Sequence, residues 1–188
     1  MKIQKSKLAG CFEITFESHE DARGFFIRTY DKKVFTEQNL IFDWVQENES
    51  FSKYQGTVRG LHFQHPPHAE AKLIRVGSGE AFIVWVDIRK ESPTFGEWDA
   101  VTLSAQNRKA VLIPRGFANG LCTLSDNCTL LYKMDNYYYP EAQDNIIWND
   151  PDLHIDWPVQ KPAVMSDRDL GAKSFSEFTH VFGGLTLK

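Results

Sequence analysis

The stretch Arg59-Gly60-Leu61-His62-Phe63-Gln64, with Lys72 close behind, gathers a guanidinium, an imidazole and an ammonium into one short part of the chain. Flanking residues read as β-strands, so these groups should converge rather than scatter. Alternation along a strand puts Gly60 and His62 on one face, leaving a cavity wall thin at 60 and armed at 62. Beside an inward His62, Lys72 is a candidate for stabilising an anion. A metal site competes for the same region, because His62, His65, His68 and Glu70 follow one another closely. Two of the four ligands fail: on a strand His62 and His65 point to opposite faces, and Pro114-Arg115-Gly116-Phe117-Ala118-Asn119 ends in Asn where a last imidazole would stand. His65-Pro66-Pro67-His68 reads as a loop, and no bound metal is expected.

The elements that must position these groups are mostly strands. Phe12, Ile14 and Phe16 alternate onto one face, Asp21-Ala22-Arg23-Gly24 is a turn leading into a second short strand, and residues 31–40 read as a short helix capped by Asp31. Strands follow at 42–51, 57–64, 71–77, 80–88, 98–103, 110–113, 119–124 and 128–134, a spacing typical of sandwiches and barrels. Gly77-Ser78-Gly79 and Ser125-Asp126-Asn127 read as tight hairpins. Ala81 to Val86 is almost continuously apolar, as a strand covered on both faces would be. Beyond Tyr139-Pro140 the pattern becomes irregular and proline-ruled, and 166–188 is polar with a weakly helical start. The expected fold is mainly β, a double-sheet jelly roll of the cupin type with a few short helices.

At 188 residues, the chain suits one domain, with a core over about 10–165 and residues 166–188 packing on it. Aromatic residues make up 13%, which favours strands and a ring-lined pocket. A net charge of −4 argues against nucleic-acid or anionic-membrane partners, so any phosphate must be met by a few placed arginines. Three cysteines, no apolar signal core after Met1-Lys2-Ile3-Gln4 and no apolar run approaching eighteen residues lead to the expectation of a reduced, cytoplasmic protein.

Several stretches together carry a family resemblance. They are Asp21-Ala22-Arg23-Gly24-Phe25-Phe26, Gln46-Glu47-Asn48, Arg59 to Gln64, Lys72-Leu73-Ile74-Arg75-Val76, Val86-Asp87-Ile88-Arg89 and Ser92-Pro93-Thr94-Phe95-Gly96. Ile113 to Ala118, Tyr132-Lys133 before Tyr137-Tyr138, Trp148-Asn149-Asp150-Pro151 and Ser166-Asp167-Arg168-Asp169 complete the set. In this order the chain resembles the dTDP-4-dehydrorhamnose 3,5-epimerases, cupins that act on nucleotide-linked 4-keto-6-deoxy sugars without a metal or other cofactor.

The resemblance implies a division of roles. A ketone at C4 acidifies the hydrogens on C3 and C5; His62 would be the base, Asp169 its carboxylate partner, Lys72 the ammonium facing the enolate oxygen, and Tyr132 the proton donor on the opposite face. Arg23 and Arg59 would hold the diphosphate, with Arg168 replacing the usual lysine of Ser-x-Lys-Asp. Phe26, Gln46, Asn48 and Tyr138 would hold the base and sugar, Tyr138 by stacking on the pyrimidine. The resemblance also implies a homodimer in which an N-terminal strand crosses to the partner, taking Arg23 and Phe26 to the neighbouring pocket.

Two positions depart from the family pattern. Members usually carry Asp at the position of Ile83 and His at the position of Asn119, itself counted among the substrate-binding residues. Losing both reads as a compensated swap, since losing one would strand a polar group at roughly 1–3 kcal/mol. The departures leave open an epimerase of C3 or C5 alone, a 3,4-ketoisomerase, and a non-catalytic sugar-nucleotide binding cupin.

Overall fold

A computed structural model of the chain describes residues 1–187. In chain order the strands are β1 (Lys2–Lys5), β2 (Phe12–Thr15), β3 (Ser18–Asp21), β4 (Gly24–Ile27), β5 (Gln46–Ser52), β6 (Val58–Gln64) and β7 (Lys72–Ser78). They continue with β8 (Glu80–Asp87), β9 (Trp98–Ser104), β10 (Lys109–Ile113), β11 (Phe117–Thr123), β12 (Cys128–Met134) and β13 (Gln143–Asn145). The helices are α1 (Lys32–Glu37), α2 (Asp167–Leu170) and α3 (Phe175–Phe182).

Two antiparallel sheets, ordered β1-β2-β10-β7-β12-β5 and β13-β6-β11-β8-β9, face each other as the expected jelly roll; β3 and β4 form a separate hairpin. Between them lie Ile74, Val76 and Leu130 from one sheet and Ile83, Trp85 and Leu103 from the other. The apolar run in β8 divides by strand parity: Ala81, Ile83 and Trp85 enter this inner core, while Val84 and Val86 join an outer cluster with Phe178 of α3. On the outer face of the first sheet, Ile14, Phe16 and Leu73 pack with Phe35 of α1, whose N-cap is Asp31 as expected.

The two supposed hairpins are corners. β7 and β8 belong to different sheets, as do β11 and β12, so Gly77-Ser78-Gly79 and Ser125-Asp126-Asn127 each carry the chain from one sheet to the other. They also hold each other, for Ser125 Oγ accepts the Glu80 N–H at 3.0 Å and Ser78 Oγ donates to the Asn127 carbonyl at 3.0 Å. A Cβ at Gly79 would lie 2.5 Å from Ser125 Oγ, so the glycine is required where the corners meet. The C-terminal segment is more helical than its composition suggests. Ser174 and Glu177 form a capping box at the start of α3, which buries Phe178 completely on the second sheet. Among the described residues no helix is long and apolar enough to cross a membrane.

Candidate active site

Arg59 and His62 both enter the barrel because β6 is not a regular strand. His62 pairs with Asn119 on β11, yet Arg59, three residues earlier, pairs with Leu121 only two residues later. Strict alternation would send Arg59 and His62 to opposite faces; the extra residue puts both on the inner face, since their partners Asn119 and Leu121 share one. Gly60 sits at this bulge with φ +109°, and a Cβ there would come within 2.7 Å of the Asn119 carbonyl. No other residue fits so close to β11.

Behind the imidazole stands a carboxylate from the far end of the chain. Ser166 caps α2 by accepting the Asp169 N–H, and Asp169 Oδ1 lies 2.6 Å from His62 Nε2. Its other oxygen accepts the Gly60 N–H at 3.3 Å. Burial alone would raise the Asp169 carboxyl; the hydrogen bond and charge of His62, with the Gly60 N–H and Ser166, outweigh it and hold the group below its ordinary value. Asp169 is therefore an acceptor. With Nε2–H donated to it, Nδ1 of His62 carries the lone pair.

A cavity of about 110 Å³ is lined by His62, Lys72, Tyr132, Tyr138, Glu70 and Gln143, among others. Lys72 Nζ lies 3.0 Å from Glu70 Oε1 and donates to Asn119 Oδ1 at 2.9 Å. Gln46 donates to Asn48 at 3.0 Å, Asn48 donates to Met134 Sδ at 3.2 Å, and Gln46 Oε1 accepts the Tyr138 N–H at 3.1 Å. Gln143 accepts from both the Tyr138 hydroxyl at 2.6 Å and Arg168 Nη1 at 2.7 Å. Arg59 is directed by Ser52 Oγ at 3.2 Å and the Phe51 carbonyl at 3.0 Å. Larger clefts lie beneath the β3–β4 hairpin and beside Arg89 and Leu187, neither lined by a histidine, and a third, lined by His19, holds neither a lysine nor a tyrosine.

An imidazole backed by a carboxylate, sharing a cavity with an ammonium and a phenol, can remove a proton from an acidic C–H, hold the resulting oxyanion and return a proton. Among the described residues no group of three or more His, Cys, Asp or Glu side chains could hold a metal ion. His65 is instead engaged by Asp144 at 2.8 Å.

The family model for dTDP-4-dehydrorhamnose 3,5-epimerase matches residues 5–177. The chain belongs to the dTDP-4-dehydrorhamnose 3,5-epimerase family. A relative of that name from Shigella flexneri is 46% identical over 156 residues, covering 82% of this chain and 85% of its own. The crystal structure of a dTDP-4-dehydrorhamnose 3,5-epimerase from Bacillus anthracis with TDP and PPi bound is 40% identical, with a TM-score of 0.89, covering 92% of this chain and 98% of its own. ChmJ, a 3'-monoepimerase from Streptomyces bikiniensis in complex with dTDP-quinovose, is 30% identical with a TM-score of 0.89, covering 96% of this chain and 91% of its own.

Within this epimerase fold, most residues singled out in the sequence come together: His62, Asp169, Lys72, Tyr132 and Tyr138 around the cavity or against it, with Gln46, Asn48, Asn119 and Arg168 bonded to its walls or to each other. Arg23 and Phe26 do not join them within one chain. They sit on the β3–β4 hairpin, where the Arg23 side chain is 90% exposed and paired with Asp21, and Phe26 lines a separate cleft with Met1 and His19. Ile83 is packed in the inner core and Asn119 is bonded to Lys72, so neither departure strands a polar group. Sequence reasoning assigns no role to Gln143 and weighs Glu70 only as a metal ligand. The readable signal for Glu70 was its i, i+2 spacing from Lys72 at the start of a strand.

Proposed function

We propose that the chain epimerises a dTDP-linked 4-keto-6-deoxyhexose, as a dTDP-4-dehydrorhamnose 3,5-epimerase. The observation that carries this reading is the His62–Asp169 pair facing the same cavity as Lys72 and Tyr132. His62 Nδ1 takes the proton from C3 or C5, the C–H electron pair moves into the enolate, and its charge settles on the C4 oxygen beside Lys72. Asp169 stabilises the imidazolium that forms. Tyr132 then gives its proton to the opposite face of the carbon, a new C–H bond forms, and the phenol and imidazole return to their starting states by exchange with water. Nothing is oxidised or reduced.

Arg59 and Arg168 hold the diphosphate, and Gln46, Asn48, Asn119 and Tyr138 hold the base and sugar. Arg23 and Phe26 serve the pocket of a second copy; their exposure on a hairpin apart from their own cavity supports a homodimer with N-terminal exchange. The chain works in the cytoplasm as one catalytic domain.

Incubation with dTDP-4-keto-6-deoxyglucose in D2O tests the reading. Deuterium at C3 and C5, with an inverted product by NMR, is the expected result; absence of exchange at both carbons overturns it. A second reading, epimerisation at one carbon, is favoured by Ile83 and Asn119 and predicts label at that carbon alone.

A further inference from the structure

We infer that Glu70 is a positioning residue that sets the direction of the Lys72 ammonium and ties it to the Tyr137–Tyr139 segment through Gln64. The inference rests on the epimerase reading above. Glu70 is a carboxylate with a side chain only 4% exposed, a placement that is costly unless the charge is paired and hydrogen-bonded. One oxygen meets Lys72 Nζ at 3.0 Å and the other accepts from Gln64 Nε2 at 3.0 Å. The backbone beside it is pinned, because Asp135 Oδ1 accepts the Ala71 N–H at 2.6 Å. Arg115, the other cation nearby, is taken by Asp135 at 3.1 Å, so the counter-charge of Glu70 is Lys72.

An ammonium has three N–H donors. Glu70 and Asn119 take two of them from Lys72, leaving the third for the cavity that Lys72 lines. On the far side, Gln64 is buried and its amide has one satisfactory orientation. The two N–H groups of Nε2 are shared among three acceptors, the His68 carbonyl at 2.8 Å, Glu70 Oε2 at 3.0 Å and the Tyr137 carbonyl at 3.2 Å, while Oε1 accepts the Tyr139 N–H at 2.7 Å. The segment carrying Tyr138 is thus joined to Lys72 by a single chain of hydrogen bonds.

Two effects of Glu70 oppose each other. Its negative charge weakens the attraction of Lys72 for a developing enolate, but its fixed oxygens hold a flexible four-carbon stem in place before the charge appears. The second prevails, since an ammonium that must swing into position during the reaction has lost its preorganisation. Glu70→Gln keeps the size of the side chain but turns an N–H toward either Lys72 or Gln64, which are both donors.

The test compares wild type, E70Q, E70A, K72A and the double variant K72A/E70Q, with binding of dTDP measured by calorimetry and the Lys72 ammonium followed by 15N NMR. E70Q and E70A should lower kcat by about 10- to 100-fold, with dTDP affinity within twofold of wild type. The Lys72 ammonium signal should be protected in the wild type and lost to exchange in E70Q. K72A/E70Q should turn over no more slowly than K72A, because Glu70 acts only through that ammonium. The inference is overturned if E70Q keeps kcat within twofold, or if it slows K72A by the factor by which it slows the wild type. Should the wild type fail to turn over the sugar nucleotide, the epimerase reading falls; an unchanged Lys72 signal in E70Q then overturns the present inference separately. E70Q carries the test if E70A does not fold.

Discussion

His62 and Asp169 meet at 2.6 Å although 107 residues separate them in the chain. The bulge at Gly60 and the Ser166 cap make the meeting possible: the Gly60 N–H donates to one Asp169 oxygen, and the cap holds Asp169 in the first turn of α2. Asp169→Asn removes the charge that stabilises an imidazolium and offers the ring an amide in its place. We expect kcat to fall on the order of 10²- to 10⁴-fold with dTDP affinity little changed. Steady-state kinetics with calorimetry checks this, and an Asn variant within tenfold of wild type contradicts it.

Tyr132 lies on β12 opposite Asn48, a different strand and sheet from His62. If it supplies the proton on the second face, removing its hydroxyl leaves the base, the enolate and Lys72 intact. Tyr132→Phe should therefore still exchange the sugar C–H with D2O, because His62 can return the proton to the face it came from, while inverted product drops by at least 10²-fold. His62→Ala should lose exchange and inversion together. Equal loss of exchange in both variants would place Tyr132 on the abstraction step.

The strands from β6 to β12 were legible because each buries at least one face, whereas β1 and β3, short and almost wholly unburied, leave no apolar alternation to read. Seven residues of β12 and the helix capped by Asp31 fall where the pattern predicts. What pairs with what was not legible. Turn residues at 77–79 and 125–127 signal a reversal equally well for a hairpin and for a corner between sheets, and only the packing of the two corners on each other distinguishes them. Helix α3 was hidden by its polar neighbours, although the Ser174-x-x-Glu177 capping box was present in the sequence.

The site was legible where residue type fixes chemistry, as at His62, Lys72 and Tyr132, once the resemblance supplied their company. It was less legible where geometry decides. Periodicity alone places Arg59 on the wrong face, since an inserted residue in β6 leaves no mark except Gly60. Gln64 and Gln143 are ordinary polar residues by type; burial of the first and the two bonds converging on the second give them their roles.

Ile83 and Asn119 are diagonal neighbours on the inner face, for Ile83 pairs with Leu121 and Asn119 with Trp85 between β8 and β11. Ile83→Asp alone would bury a carboxylate among Trp85, Leu103 and Val101 with no partner, at a cost of roughly 3–5 kcal/mol. Adding Asn119→His supplies a possible partner, and the double variant should recover about 1–3 kcal/mol beyond additivity. Urea denaturation of the four proteins measures the coupling; strict additivity would show that the two positions vary independently.

Asp144 locks the last strand to the last helix. On β13 it takes the His65 ring at 2.8 Å and the Lys173 ammonium, just ahead of α3, at 2.6 Å. Burial would raise its carboxyl, but His65, Lys173 and the Asn145 N–H outweigh burial and lower it to about 2. A carboxyl depressed in the folded state contributes stability that is complete above its ordinary value, near 4, and is lost as pH falls through about 2. That contribution is on the order of 2 kcal/mol at pH 7. Asp144→Asn should therefore lose about that much stability to urea at pH 7 and roughly half as much at pH 3, so that the two unfolding curves converge on acidification. A gap between wild type and variant that stays constant from pH 7 to pH 3 would mean that packing of the side chain, and not its charge, holds α3 in place.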